Sequence, residues 1–308
     1  MVDPDSDIRL AAFGHLRALA LLHGGALPWA ALTNGFEARG RRFLFASAAE
    51  GIFRPTGMTG LLSLKTVVPK PKGRIWYHDQ AAPEPATTSD VFWYAFRGVN
   101  PHNTRNNWLR DSMERQLPLI YFYGVAPAIY EPLFPAFVVD WSPEKLSCGL
   151  SFTAQFNAPE DWAAPTAPER RYALRTVQQR LHQAVFRARV LDAYGRRCAL
   201  SGLAEARLVD AAHIMPDTDE RLGQPDISNG ICMSKIHHAA YDAGLIGIDP
   251  DLRIHVSERL LALHDGPMLE HGLKGLQGRL IRTPRDTRAA PDRERLSARF
   301  DLFYSSNH

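Results

Sequence analysis

The 308-residue chain has only three cysteines, Cys148, Cys198 and Cys232. So few thiols exclude a disulfide framework of the kind that staples small secreted domains, and a reducing cytoplasm is the expected compartment. Long apolar runs are missing as well. None approaches the roughly 18–20 residues that span a bilayer, so no membrane partner is expected. The most apolar early stretch, Leu16 to Leu22, is short, lies in a helical pattern and lacks both a basic start and a small-residue cleavage site; no signal peptide is expected. An excess of charge of one sign is also lacking, since the formal net charge is only +3. Such a balance identifies no polyanionic partner by itself. The sequence shows neither an internal repeat nor a low-complexity tract, so function has to be sought in motifs.

Hydrophobic residues make up 45% of the chain and charged residues 22%, as in ordinary globular proteins, and the length accommodates two domains. Residues 5–22 carry Ile8, Ala12, Leu16, Leu19 and Leu22 at helical spacing, with Asp5 or Ser6 placed to cap the start and Gly24-Gly25 to end it. A second short helix is expected near Leu27-Pro28-Trp29. From Arg42 to Phe152 the pattern alternates as strands do. The expected strands are Phe43–Ala46, Leu61–Val68, Arg74–Tyr77, Val91–Arg97, Leu119–Val125 and Ala136–Asp140, with one helix over 105–116. They should build a strongly curved sheet or small barrel. Residues 157–169, rich in Ala and Pro, can continue neither a helix nor a ladder and are read as a linker. The expected division is therefore 1–156, linker 157–169, and 170–308. An amphipathic helix follows from about Glu169 to Tyr194, with Leu174, Val177, Leu181, Val185 and Val190 on or near one face.

The chemistry-bearing residues gather downstream of that helix. In order they are Cys198-Ala-Leu-Ser201-Gly202, Asp210-Ala-Ala-His213-Ile214, Asn229-Gly230, His237-His238-Ala-Ala-Tyr241-Asp242 and Gly244–Asp249. Physically they read as strand, turn, strand, loop and helix, with Leu208–Ile214 the strand that delivers His213, residues 215–228 the loop and 232–243 the helix. His238 and Asp242, four apart, share a helical face and are placed to share a metal. Asp210 and His213, three apart on a strand, fall on opposite faces unless a bulge intervenes.

This ordered set resembles the HNH, or ββα-metal, nucleases over about residues 195–255. The resemblance implies a DNA endonuclease that hydrolyses phosphodiester bonds with one divalent metal ion, Mg²⁺, Mn²⁺ or a transition metal. It implies His213 as general base toward the attacking water, Asn229 as the residue pinning the loop, and His238 and Asp242 as metal ligands. Many members carry a ligand directly before the general base. Ala212 stands there, so Asp210 is assigned as the third ligand. Many members also carry paired Cys-x-x-Cys knuckles for zinc. The matching positions hold Cys198 with Ser201 and Ser234 with His237, and serines do not replace thiolates. No structural zinc is expected, and packing against the preceding helix and the C-terminal region must support the unit.

The arrangement of an N-terminal module before an HNH core resembles modification-dependent restriction endonucleases, whose readers are often PUA-like and flip a modified base into an aromatic pocket. The implied fold class is α+β: a curved-sheet reader with helical additions, then the nuclease domain. Trp76, Tyr77, Asp79, Trp93, Tyr94 and Arg97 are the candidate reader residues, with Asp90, Arg74, Arg105 and Arg110 as further polar and phosphate-facing positions. Ordinary core packing is the other reading of each aromatic. Double-stranded DNA is the expected partner and a homodimer one expected assembly. A type II enzyme on unmodified DNA, a catalytically dead DNA-binding protein and a non-specific toxin nuclease are the competing readings.

Overall fold

A computed structural model describes residues 3–68, 91–152 and 167–307. They separate into two compact units, Met1–Ala184 and Val185–His308. No described helix is long and apolar enough to cross a membrane.

The first unit opens with α1 (Ser6–His23), which buries Ile8, Ala12, Phe13 and Leu16 on one face. The apolar stripe predicted from the sequence includes Leu22, but this residue is exposed near the helix end. Then come β1 (Leu27–Pro28), α2 (Trp29–Leu32), β2 (Phe36–Ala38), β3 (Arg41–Phe43), β4 (Ile52–Phe53), β5 (Ser63–Thr66), β6 (Phe92–Ala95), α3 (Thr104–Glu114), β7 (Leu119–Ala126), β8 (Ile129–Ser142) and β9 (Ser147–Ser151). Among the described residues seven strands make one sheet in the order β4-β5-β7-β8-β9-β6, with β1 also on β8. The pair β5–β7 is parallel and the others are antiparallel.

The curl of this half-barrel has a visible cause. β8 is 14 residues long. Its first half pairs with β7 and its second half with β9. Register shifts lie between Leu119 and Tyr121, between Gly124 and Ala126, and between Val138 and Asp140. Each bulge adds local twist and bends the strand. Alternation along β7 then divides its side chains. Ile120 and Phe122 join the core with Ile8, Phe13, Leu16 and Phe45. Tyr121 and Tyr123 point the other way, into a ring cluster with Phe92 and Phe152. The expected curved sheet and the helix near 105–116 are both present, the latter capped by Asn103, whose side chain accepts from the Asn106 backbone N–H. Trp76, Tyr77 and Asp79 lie outside the described residues, as do Arg74, Asp90 and positions 157–166 of the expected linker.

The helix α4 runs Ala167–Ala193, and the division between the units falls within it. Arg180 on its earlier part pairs with the buried Glu131 carboxylate at 2.5 Å. Its later residues Phe186, Val190 and Leu191, with Tyr194 just beyond, belong to the core of the second unit. That unit continues with β10 (Val209–His213), β11 (Gly230–Ser234), α5 (Lys235–Asp242), β12 (Ile246–Ile248), β13 (Ile254–Val256), α6 (Glu258–Ala262), α7 (Pro267–Gly272) and α8 (Arg293–Asn307). The sequence reading needs two corrections here. Cys198–Gly202 forms turns rather than a strand, and residues 230–234, of which 232–234 were expected in the helix, form the second strand of the ββα unit. The helix starts later because Ser234, in extended conformation, accepts the His237 N–H and caps it. Cys232 and Met233 are apolar enough for either state, and pairing with β10 decides for strand.

Candidate active site

β10 and β11 pair without a break: Val209 opposite Ser234, Asp210 opposite Met233, Ala212 opposite Ile231 and His213 opposite Gly230. No bulge intervenes, so alternation puts Asp210 and His213 on opposite faces. The Asp210 carboxylate is taken by Arg187 of α4, whose Nε lies 2.7 Å away, while Arg187 Nη2 donates to the Val209 carbonyl at 3.1 Å. The residue assigned from sequence as a third ligand is therefore held in an ion pair on the face away from His213.

His213 ends β10 half-buried. Its ring stacks on Phe186, centroids 4.1 Å apart and planes 8° from parallel. Burial pushes the imidazole below its ordinary value, the negative charge of Asp217 pulls it back up, His238 adds to the lowering, and Asp242 and Asp210 oppose it. These couplings place His238, Asp242, Asp210 and Asp217 of the following loop in the electrostatic neighbourhood of His213.

Asn229 is fully buried and joins the two ends of that loop. Its Oδ1 accepts the Met215 N–H at 2.9 Å, its Nδ2 donates to the Met215 and Gln224 carbonyls, and its own carbonyl accepts the Ile214 N–H. The backbone immediately after His213 is thereby fixed. On α5, His238 Nε2 and Asp242 Oδ2 lie 3.2 Å apart as an i,i+4 pair, more exposed at Asp242 than at His238. The backbone carbonyls of Tyr241 and Asp242 accept from Arg299 of α8 at 3.0 and 3.5 Å, which holds the C-terminal end of that helix.

This donor set fits a divalent cation in part. One imidazole nitrogen and one carboxylate oxygen stand together with access to solvent, leaving other coordination positions to water or phosphate oxygens, as Mg²⁺ and Mn²⁺ commonly have them. Among the described residues no three His, Cys, Asp or Glu side chains converge as a full cage.

His237, next to His238 on α5, turns inward. It is 5% exposed, its Nδ1 lies 3.2 Å from Cys198 Sγ and its Nε2 donates to the Gly272 carbonyl at 2.8 Å. Cys198, Ser201, Ser234 and His237 lie together: the Ser201 N–H also points at the Cys198 sulfur, and Ser234 caps the helix. Asp249 closes the β12–β13 turn, accepting from the Asp251 and Arg253 N–H groups and contacting His255.

Within the first unit, a cavity of about 390 Å³ is lined by residues that include Glu50, Lys65, Thr66, Tyr94 and Arg97. Two of the candidate reader residues thus share one cavity. Trp93 is not among its lining residues; it lies under the Lys145 ammonium at 5.1 Å. Gly51 belongs to the cavity wall, where a Cβ would come within 2.8 Å of the Tyr94 hydroxyl and 3.1 Å of the Lys65 carbonyl. Arg97 pairs with Glu50 at 2.6 Å, and Lys65 donates to the Ser47 and Ala48 carbonyls.

Sequence reasoning missed Phe186, Arg187 and Asp217. Phe186 lies outside the apolar stripe read from the sequence, and nothing in the pattern sets Arg187 or Asp217 apart from solvated surface charges.

No curated protein matches the chain. A solved structure described as a modification-dependent TagI restriction endonuclease aligns with 79% of this chain and 81% of its own, at 13% identity and a TM-score of 0.32, a likeness too distant to bear on function. Residues 198–249 match the HNH endonuclease family. That segment contains the strand carrying His213, the Asn229 loop clasp and the α5 pair. Residues 198–249 thus form an HNH endonuclease domain, and the catalytic class of this chain is nuclease.

Proposed function

We propose that this chain is a DNA endonuclease of the restriction type, in which the second unit cuts and the first selects. The observation that carries the catalytic part is the neighbourhood of His213 with the His238–Asp242 pair inside the HNH segment. His213 serves as general base, since burial keeps its imidazole in the neutral, proton-accepting form. Asn229 holds the strand end that carries it. His238 and Asp242 hold the divalent cation, Mg²⁺, Mn²⁺ or a transition ion. When bound, that ion stabilises negative charge at the scissile phosphate and the leaving oxygen.

The selective part rests on the cavity in the first unit, which combines an aromatic ring, a hydroxyl, an ammonium, a carboxylate and a guanidinium. Its volume exceeds that of a nucleobase, and its lining suits one turned out of the duplex, stacked on Tyr94 and met by polar groups at its edge. We take the unit as a reader of modified DNA, PUA-like in its curled sheet. One such site cuts one strand, so a double-strand break requires a homodimer or two successive nicks.

The test is digestion of methylated, hydroxymethylated, phosphorothioated and plain plasmid side by side with Mn²⁺, with His213→Ala as control. Cleavage restricted to one modified plasmid supports the proposal. Cleavage of plain DNA alone refutes the modified-base reading and favours a type II enzyme. Equal activity of wild type and His213→Ala refutes the catalytic assignment.

A further inference from the structure

We propose that Phe186 is the positioning residue for His213, and that Gly230 exists as glycine to seat it. The inference rests on the reading of His213 as general base. A histidine ring turns about a broad, two-fold torsion, so a base that must meet a water in one orientation needs something to fix its plane. A hydrogen bond to one ring nitrogen is the usual device. Among the described residues neither ring nitrogen of His213 has such a partner. The ring instead lies flat on Phe186, 4.1 Å between centroids and 8° from parallel.

Phe186 itself has little freedom. It is 3% exposed and packed in the core with Val190, Ile231 and Ala211. Gly230 stands directly opposite His213 in the β10–β11 ladder. A Cβ at Gly230 would lie 2.8 Å from Phe186 Cζ and 3.1 Å from Cε2, and would also collide with Val190 Cγ2. The backbone at Gly230 is ordinary extended strand, so close approach of α4, not backbone conformation, demands the glycine. The strand notch admits the phenyl ring, and the phenyl ring carries the imidazole. Phe186 lies outside residues 198–249, so the preceding helix completes the site.

The test has a spectroscopic and a kinetic arm. In the full-length wild-type chain, the ring protons of His213, assigned by comparison with His213→Gln, should be shifted upfield by the Phe186 ring current. In Phe186→Leu, which retains apolar bulk, that shift should vanish. Nicking of supercoiled plasmid, plain and cytosine-methylated, with Mn²⁺ should show kcat lowered on the order of ten- to a hundredfold and KM for DNA unchanged within about twofold. Phe186→Met offers a second bulky replacement if the leucine variant does not fold. Absence of the upfield shift in the wild type overturns the proposal whatever the variants do. Unchanged kcat in either folded variant, where His213→Ala is inactive, overturns the positioning role alone. Full activity of His213→Ala overturns the base assignment and the proposal with it.

Discussion

Cys198 Sγ and His237 Nδ1 lie 3.2 Å apart in the core of the nuclease unit, linking the turn before β10 to the first turn of α5. These are two of the four positions that the resemblance to HNH nucleases sets against the ligands of a zinc knuckle. Here a thiol–imidazole contact joins the same two pieces of chain. The Gly272 carbonyl accepts from His237 Nε2 and so orients the ring with Nδ1 toward the sulfur.

That contact sets a pH dependence. Burial pushes the Cys198 thiol up, but hydrogen bonds from His237 and Ser201 outweigh it and hold the group at about 6, below its ordinary 9.0. A depressed folded-state value stabilises the fold above the ordinary value and loses that contribution as pH falls through about 6. His237 is shifted the opposite way: burial lowers it, and the contacts with Cys198 and Gly272 raise it overall. Its contribution is therefore present at low pH and fades as pH rises through its raised value. The stability gap between wild type and Cys198→Ala, from urea melts, should narrow as pH is taken from 9.0 down to about 6. A gap independent of pH would contradict an ionised pair.

Asp210 and Asp242 should separate by metal affinity. Asp242→Asn should weaken Mn²⁺ binding, followed by calorimetry, by about tenfold or more. Asp210→Asn removes the partner of Arg187; it should lower the melting temperature and leave Mn²⁺ affinity near wild type. A large loss of affinity in Asp210→Asn would return that residue to the metal, as the sequence reading had it.

Removing His213 should isolate chemistry from binding. His213→Ala should slow plasmid nicking by about 10²–10⁴-fold while gel-shift affinity for the same DNA is retained. Loss of binding in parallel would point to a structural role instead.

The loop before Asn229 depends on the C-terminal helix. Arg295 of α8 is 8% exposed and donates to the Leu222 carbonyl, Ser228 Oγ, Gln224 Oε1 and Asp226 Oδ2. Arg295→Met leaves the buried Leu222 carbonyl unpaired, while Gln224 and Asp226 are exposed and turn to solvent, which should cost about 1–3 kcal/mol of unfolding free energy, read from denaturant melts. A change under about 0.5 kcal/mol would mean that solvent replaces the guanidinium freely.

Filling the cavity of the first unit should act on selection alone. Ala49→Trp replaces an exposed lining residue and should abolish discrimination between modified and plain plasmid without lowering the melting temperature. Unaltered discrimination would move the reader site elsewhere.

Much of the local geometry of the candidate site could be read in one dimension. His238 and Asp242 share a face because helical spacing dictates it, and the observed 3.2 Å contact follows from that geometry. The division of Asp210 from His213 follows equally from strand alternation. The curved sheet was foreseeable from its alternating runs, although the bulges that bend β8 were not, because a bulge is a property of two paired strands rather than one. The helix start was placed too early, since Cys232 and Met233 suit a strand as well as a helix and only the β10–β11 ladder chooses.

The sequence by itself determined the order and spacing of the candidate groups, His213, Asn229, His238 and Asp242, and of the serines Ser201 and Ser234. These follow from residue type and local period. Tertiary structure alone decided their partners. It gave Asp210 to Arg187, set Phe186 under His213 across Gly230, joined Cys198 to His237, and placed Arg295 on the loop. The physical reason is range. Helical and strand periods fix neighbours a few residues apart, whereas the contacts that orient a ring or occupy a carboxylate join side chains far apart in sequence, and only the packed core brings those together.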